Sequence, residues 1–321
     1  MNQLSRGGAA LPFELFASFE RIPTGNPVFY CEPPEWAAAA HAIVVDDTVH
    51  YLWARRRVDN YWVLMHSTAP TSDPTAVTHD PRNPVLLPST EAEFDNFAVE
   101  YPFPFWNPID QRFYAYYLGR QLRPPKQTGL LVSNGADFGD WTRVSPTPVI
   151  SVEPDSFDYE LKGSSHPSVA VVDDTIHILY TGESAGNPVI CHATAPLDNP
   201  AAVTKNPANP IFTSSGEAWD AQGVREAELF KGPEYFHIFY GGRDGSQKDG
   251  VWRAGHVRTR DFHTFEANPH NPIFTPSTDR SQWDCDGILT PQVFEAGGSY
   301  YMLYAGMKGR EWQSGLAKVS Q

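Results

Sequence analysis

Residues 66–86 read HSTAPTSDPTAVTHDPRNPVL, and residues 192–212 read HATAPLDNPAAVTKNPANPIF; 11 of 21 positions are identical at an offset of 126. A second pair, VVDDTVHYLW at 44–53 and VVDDTIHILY at 171–180, repeats at an offset of 127. Each offset is two units of about 63 residues, a period that belongs to repeat architectures. The unit is marked by one tetrapeptide, Asn or Thr, then Pro, Val or Ile, and an aliphatic or aromatic residue. It occurs at Asn26-Pro27-Val28-Phe29, Asn83-Pro84-Val85-Leu86, Thr147-Pro148-Val149-Ile150, Asn209-Pro210-Ile211-Phe212 and Asn271-Pro272-Ile273-Phe274. The steps are 57, 64, 62 and 62 residues.

Each unit keeps one internal order. An aromatic-Asp pair comes first, at Phe94-Asp95, Phe157-Asp158, Trp219-Asp220 and Trp283-Asp284. A strand then passes through Pro102, Pro167, Ala227 or Pro291. A second strand ends in Tyr-x-Gly at Tyr117, Tyr180, Tyr240 and Tyr304. The first unit departs, with Ala37 to Ala40 in its first strand and Trp53-Ala54-Arg55 closing its second. Further strands follow, such as 129–133 and 250–254, then Asp137-Phe138 to Trp141 and Asp261-Phe262 to Phe265.

Four short strands, five times over, predict an all-β, five-bladed β-propeller of four-stranded antiparallel blades. Pro supplies 29 of 321 residues, well above the usual ~5%, and Pro breaks helices and central strands. After the fifth tetrapeptide only 47 residues remain, enough for about three strands. The outer strand missing there is expected from residues 13–20, so that the N-terminus closes the last blade and covers a sheet edge. The expectation is one domain over residues 1–321, although length alone suggests two.

Charge narrows the function classes. The formal net charge is −14 and no basic face is seen; Arg55-Arg56-Arg57 stands isolated. Nucleic acid and anionic membranes are therefore not expected as partners. Residues 1–8 lack the apolar core of a secretion signal, and no apolar run is long enough to span a bilayer, so a cytoplasmic location is expected. Cys31, Cys191 and Cys285 are odd in number and widely spaced, without metal spacing, and no disulfide framework is expected.

In a propeller the first strand of each blade faces the channel, and ligands bind at one mouth. The residue before the strand Pro or Ala differs in every blade that aligns: Tyr101, His166, Glu226 and Thr290. A position kept for structure holds similar residues; this one does not. Its neighbours Glu100, Lys162, Ser164, Ser165, Arg225, Glu228 and Asp286 are also axial candidates, with Glu35, Trp36 and His41 from the first blade. By the same logic, residues that recur are read as scaffold. His50, His177 and His237 share one repeat position, Asp46-Asp47 and Asp173-Asp174 sit at turns, and Asp95, Asp158, Asp220 and Asp284 recur in the aromatic-Asp pairs. His66 and His192 recur in the near-copies.

With these junctions, and strands such as His166-Pro167-Ser168-Val169 and Glu226-Ala227-Glu228-Leu229-Phe230, the whole chain resembles the five-bladed propeller glycosidases, the grouping of glycoside hydrolase families 43, 32, 62, 68, 117 and 130. The resemblance implies carboxylate chemistry at the strand starts, with an Asp base on blade one, an auxiliary Asp on blade two and an acid Glu on blade three. This sequence has the alanine run in place of the first and His166 in place of the last, and its acid match, Glu226, lies on blade four. Glycoside hydrolysis needs two carboxyls, one of them protonated near neutrality. Glu226 is expected as the acid and Glu100 or Asp286 as the second carboxylate, with His166 tuning the acid or holding a hydroxyl. Glu228 would supply an anion beside Glu226, and Arg225 would oppose it. Arg225, Tyr101, Trp36, His41, Lys162, Glu228 and Thr290 are the expected substrate contacts, and Trp106 is an added candidate for sugar stacking. The partner expected is a small carbohydrate. Transferase, lyase or cyclase chemistry, or sugar binding alone, is the alternative. No cofactor is called for; a Ca²⁺ ion in the channel is compatible with the fold.

Overall fold

The computed structural model describes residues 10–91, 93–152, 159–184, 186–245 and 250–320. The Phe157-Asp158 pair and residues 1–8 lie outside them. The described residues are all-β, with only two 3-10 turns, Phe13–Phe16 and Ala218–Asp220, and no α-helix. No helix is long and apolar enough to cross a membrane.

Strand β1 (Phe19–Arg21) precedes five antiparallel meanders. The first is β2 (Trp36–Val45), β3 (Thr48–Arg56), β4 (Trp62–Pro70) and β5 (Thr78–His79). The second is β6 (Ala98–Asn107), β7 (Arg112–Arg120), β8 (Lys126–Asn134) and β9 (Asp137–Arg143). The third is β10 (Gly163–Val172), β11 (Thr175–Glu183), β12 (Val189–Pro196) and β13 (Thr204–Lys205). The fourth is β14 (Val224–Lys231), β15 (Phe236–Arg243), β16 (Trp252–Thr259) and β17 (Glu266–Ala267). The last is β18 (Gly287–Ala296), β19 (Ser299–Lys308) and β20 (Glu311–Val319).

The five long first strands form a ring of contacts: β2 against β6, β6 against β10, β10 against β14, β14 against β18, and β18 against β2. Apolar side chains fill the gaps between neighbouring meanders. Leu52, Ala54 and Leu64 of the first pack with Val99, Ala115 and Leu131 of the second, all at most 1% exposed. The outer strands β5, β13 and β17 are only two residues long, shorter than expected. Pro74 and Pro81 flank β5, and Pro200 and Pro207 flank β13, where Pro cannot donate to a ladder; in the fourth meander the expected strand stretch 261–265 bends, and only Glu266–Ala267 pairs.

The N-terminus does meet the last meander, with Phe19 opposite Val319, Glu20 opposite Lys318 and Arg21 opposite Ala317. The paired stretch is shorter than the expected 13–20, because Phe13–Phe16 coils into a 3-10 turn just after Pro12. That turn drives Phe16 into full burial against the rings of Phe230, His237, Phe239, His256 and Tyr300.

The repeated motifs have direct physical causes. Asn83 accepts from His66 N and donates to His66 O, both at 2.7 Å. Asn209 clamps His192, Asn271 clamps His256 and Asn26 clamps Leu316 in the same way. An amide side chain has both donor and acceptor for this; Thr147 bonds Ser145 instead. The residue ending the tetrapeptide bridges to the third strand in every meander, as in Leu86 to Leu64 and Phe212 to Ile190. Asp95, Asp220 and Asp284 accept the hydroxyls of Tyr117, Tyr240 and Tyr304 at 2.8–2.9 Å. The aromatic partners Phe94, Trp219 and Trp283 lie where a Cβ would stand on Gly119, Gly242 and Gly306, which is why Tyr-x-Gly needs its glycine.

His50, His177 and His237 do occupy one equivalent place, and each meets a second histidine. His50 bonds His66 at 3.1 Å, His177 bonds His192 at 3.2 Å and His237 bonds His256 at 3.0 Å. Asp80, Asn206 and Asn268 hold the outer ring of each pair. Burial pushes His50 down to about 4, and His192 and His237 down to about 3.

Phe16→Ala should cost about 3–5 kcal/mol, read as a lower denaturation midpoint, since it empties a fully enclosed site. The histidine pairs set the acid limit. Their folded pKa values lie below the unfolded ~6.5, so the unfolded chain binds more protons as pH falls. The stability they carry is complete above pH ~6.5 and is lost progressively toward the folded values. The melting temperature, measured from pH 7.5 to 4, should decline steadily below pH ~6.5.

Candidate functional site

Every first strand slips its register against the second strand once: between Ala38 and His41, Glu100 and Phe103, Ser165 and Ser168, Arg225 and Glu228, and Leu289 and Gln292. Inside each slip one residue has positive φ: Ala39 at 55°, Tyr101 at 51°, His166 at 54°, Glu226 at 52° and Thr290 at 52°. These are the positions before the strand Pro or Ala, and Ala39 supplies the register that the first unit's alanine run obscured. A bulge re-aims one side chain off the pleat, and the left-handed conformation costs a non-glycine residue about 1–3 kcal/mol.

Glu226 is the carboxylate of this set. It is 1% exposed. Thr290 Oγ1 donates to its Oε2 at 2.7 Å. Its Oε1 lies 3.0 Å from Arg225 Nε and 3.3 Å from His166 Nε2. Its backbone N–H donates to Thr181 Oγ1 at 2.9 Å. His166 turns its other nitrogen to Ser165 Oγ at 2.6 Å, and the ring of Tyr101 meets it edge-on at 4.1 Å.

A second carboxylate joins here that the sequence reading did not name. Glu183, last residue of β11, accepts from Lys126 Nζ at 2.8 Å and Ser165 Oγ at 2.6 Å. It lies 3.6 Å from His166 Nδ1 and 3.5 Å from Arg225. All four contacts go to Oε1.

Burial raises the pKa of Glu226, against the opposing pull of Arg225 and the Thr290 hydrogen bond. Burial also penalises ionised Glu183, but Lys126 and Arg225 outweigh it and hold that carboxyl at about 2. The two acids are thus driven apart. His166 is pushed well below its ordinary range by burial, then by Arg225 and Lys126, so the imidazole is neutral. Glu183, and not Glu228, is the anion that assists the rise at Glu226.

Glu100 is 5% exposed and pairs with Arg120 at 2.8 Å. Asp286 precedes β18 and is taken by Arg280 at 2.6 Å and Gly309 N–H at 2.7 Å. Glu228 and His41, each two residues beyond its bulge residue, pair at 3.0 Å. Trp36 is covered by the guanidinium of Arg56 at 4.2 Å. Lys162 is exposed, outside the strand. Trp106 lies at the far end of β6, in an apolar cavity with Phe105, Val293, Phe294 and Tyr300.

A polar cavity of about 230 Å³ opens between the third and fourth meanders, lined by Glu183, Ser184, Gly186, Pro188, Arg225, Arg243 and Trp252; Glu226 lies behind it, reached through Arg225. Glu183 and Arg243 both follow a Tyr-x-Gly. Comparing that position across units gives Arg56, Arg120, Glu183, Arg243 and Met307, a variable set that carried the missed signal. Among the described residues no cluster of three or more His, Cys, Asp or Glu is arranged for a metal.

The sequence matches no protein-family model and no curated protein. The fold is similar to many solved structures. A glycosyl hydrolase from Bacteroides ovatus aligns with a TM-score of 0.74 at 16% identity, over 96% of this chain and 95% of that one. A structure reported for glycoside hydrolases within the GH130 family of mannoside phosphorylases, targeting β-1,2 mannosidic linkages in Candida mannan, aligns at 0.72 and 17% identity, over 95% of each chain. A thermostable family-43 glycoside hydrolase aligns at 0.68 and 11%, over 91% of each. The likeness is one of fold, β-propeller-like and all-β, and it agrees with the grouping that the unit junctions resemble.

Thr290→Val removes a hydrogen bond that favours ionised Glu226. The carboxyl should then titrate at higher pH than in the wild type, measured by ¹³C NMR of the glutamate carboxyl carbons.

Proposed function

We propose that residues 1–321 form a single five-bladed propeller acting as a glycosidase on a small or terminal glycoside, with Glu226 as general acid. The carrying observation is a buried carboxyl whose pKa burial raises, aimed off a bulge and touching an ionised partner's network. A protonated carboxyl near neutrality is what departure of a sugar oxygen requires. Glu183, rather than Glu100 or Asp286, is the second carboxylate. Its Oε1 is held by Lys126 and Ser165, which leaves Oε2 for water or the sugar. Both acids lie against the one imidazole of His166, so their nearest oxygens are no more than about 9 Å apart, under the ~9.5 Å upper limit for glycosidase carboxyl pairs.

Proton flow in this reading is simple. Glu226 gives its proton to the leaving oxygen as the bond to the anomeric carbon breaks, while that carbon takes the oxygen of a water deprotonated by Glu183, or of Glu183 itself before water releases it. Arg225 then stabilises the carboxylate formed. His166, neutral, keeps its hydrogen bonds without competing for that proton.

One feature supports the second reading, sugar binding or non-hydrolytic chemistry: both oxygens of Glu226 already have partners, and the first unit offers Ala39 where a carboxylate would serve.

A panel of aryl glycosides separates the two. Glu226→Gln and Glu183→Gln should each lower turnover by about 10²–10⁴-fold, and wild-type activity should fall as pH rises through the raised pKa of Glu226. Product formed in ¹⁸O water should carry the label. Unaltered turnover in Glu226→Gln removes its role as acid, and unlabelled product removes hydrolysis.

A further inference from the structure

The residue at the position after Tyr-x-Gly, or after Trp53-Ala54-Arg55 in the first unit, stands at or one short of the end of the second strand in each meander; three of the five have partners and one is apolar. Arg120 has Glu100 at 2.8 Å. Arg56 has Asn60 and the Pro34 carbonyl, and lies over Trp36. Glu183 has Lys126 at 2.8 Å. Met307 is apolar.

Arg243 is the exception. It is 4% exposed, and among the described residues no carboxylate meets it. Its Nη2 donates to the Gln222 carbonyl at 2.9 Å, and its buried Nε has no partner. A buried guanidinium without a counter-charge is costly, and burial together with Arg225 pulls its pKa below the usual range. Its side chain lines the polar cavity that Arg225 shares, where Trp252 carries two cations: Arg243 lies 4.8 Å and Arg225 5.7 Å from the indole centroid.

The charges there do not balance. Among the described residues its lining holds two guanidinium groups, Arg225 and Arg243, and one carboxylate, Glu183. A cationic hollow is thus kept in a chain of net charge −14. The hydroxyls of a neutral sugar can accept from the Arg243 fork but leave its charge uncompensated.

We propose that this cavity binds an oxyanion, a carboxylate or phosphoryl group on Arg243 and Arg225, so that the ligand is an acidic sugar or a free anion beside it. A planar fork with a free N–H suits such groups. The inference deepens the glycosidase reading and rests on it for the sugar, though not for the anion. An anion here would also favour the protonated form of Glu226.

Calorimetry of the full chain at low salt tests this with glucuronate, glucose and inorganic phosphate as probes. Glucuronate, phosphate or both should bind at least about tenfold more tightly than glucose, and Arg243→Gln should remove that advantage while leaving glucose unchanged. Glucuronate alone assigns the anion to the sugar; phosphate alone assigns it to a free ion. Equal binding of all three, or anion binding untouched by Arg243→Gln, overturns the proposal. Should that variant fail to fold, Arg243→Lys keeps the charge but loses the fork, and about a threefold loss for the anion alone is expected; no loss overturns it. The readout is binding, so the two proposals fail separately. A chain that turns over no glycoside but binds anions through Arg243 keeps this site and loses the glycosidase reading.

Discussion

The structure depends on one backbone constraint, a left-handed residue inside a β-bulge at the same point of every first strand. Five strands that pack around one axis cannot all stay flat. Each absorbs the conflict by adding a residue, and that residue must take φ near 50°. No glycine fills the position in any of the five, although glycine would do so without cost. What stands there instead, Ala39, Tyr101, His166, Glu226 and Thr290, brings three of its side chains into one cluster: Thr290 and His166 both reach the carboxylate of Glu226. The scaffold's strain and the candidate chemistry therefore share the same atoms.

Around that constraint, the repeat can be read because each of its letters does one job. Asn in the tetrapeptide occupies both backbone groups of one residue on the third strand. Asp takes a tyrosine hydroxyl. Glycine leaves room for an indole or phenyl ring. Such pairings are short in sequence and identical from unit to unit, so they appear as pattern. Variation at a repeated position was legible for the same reason, and it singled out Glu226, His166, Tyr101 and Thr290 from the sequence alone.

What escaped the sequence is what depends on distance across units. Lys126 and Glu183 are 57 residues apart, and Arg225 comes 42 residues after Glu183. Nothing local announces that they converge. Asp286 looked axial by its place before β18, but Arg280 is only six residues upstream and draws it to the rim. The first unit's register was hidden because alanines carry no side-chain signature; only the backbone angle of Ala39 identifies it. The N-terminal closure was legible as an edge needing a strand, yet its length was set by Pro12 and by the cavity that receives Phe16.

One proton assignment satisfies the whole cluster. With Glu226 protonated, Arg225 serves Glu183 as well as the neutral acid, and no pair of anions shares the site. With His166 neutral, its Nε2 faces Arg225 as an acceptor and its Nδ1 hydrogen faces Ser165 and Glu183. Charging the imidazole would set a third cation against Arg225 and Lys126; ionising Glu226, which is 1% exposed, would bring a second anion to the Arg225 that already faces Glu183. Burial makes both changes costly. The excess that remains is positive and sits on Arg243, which links the acid's protonation to whatever anion occupies the cavity beside it.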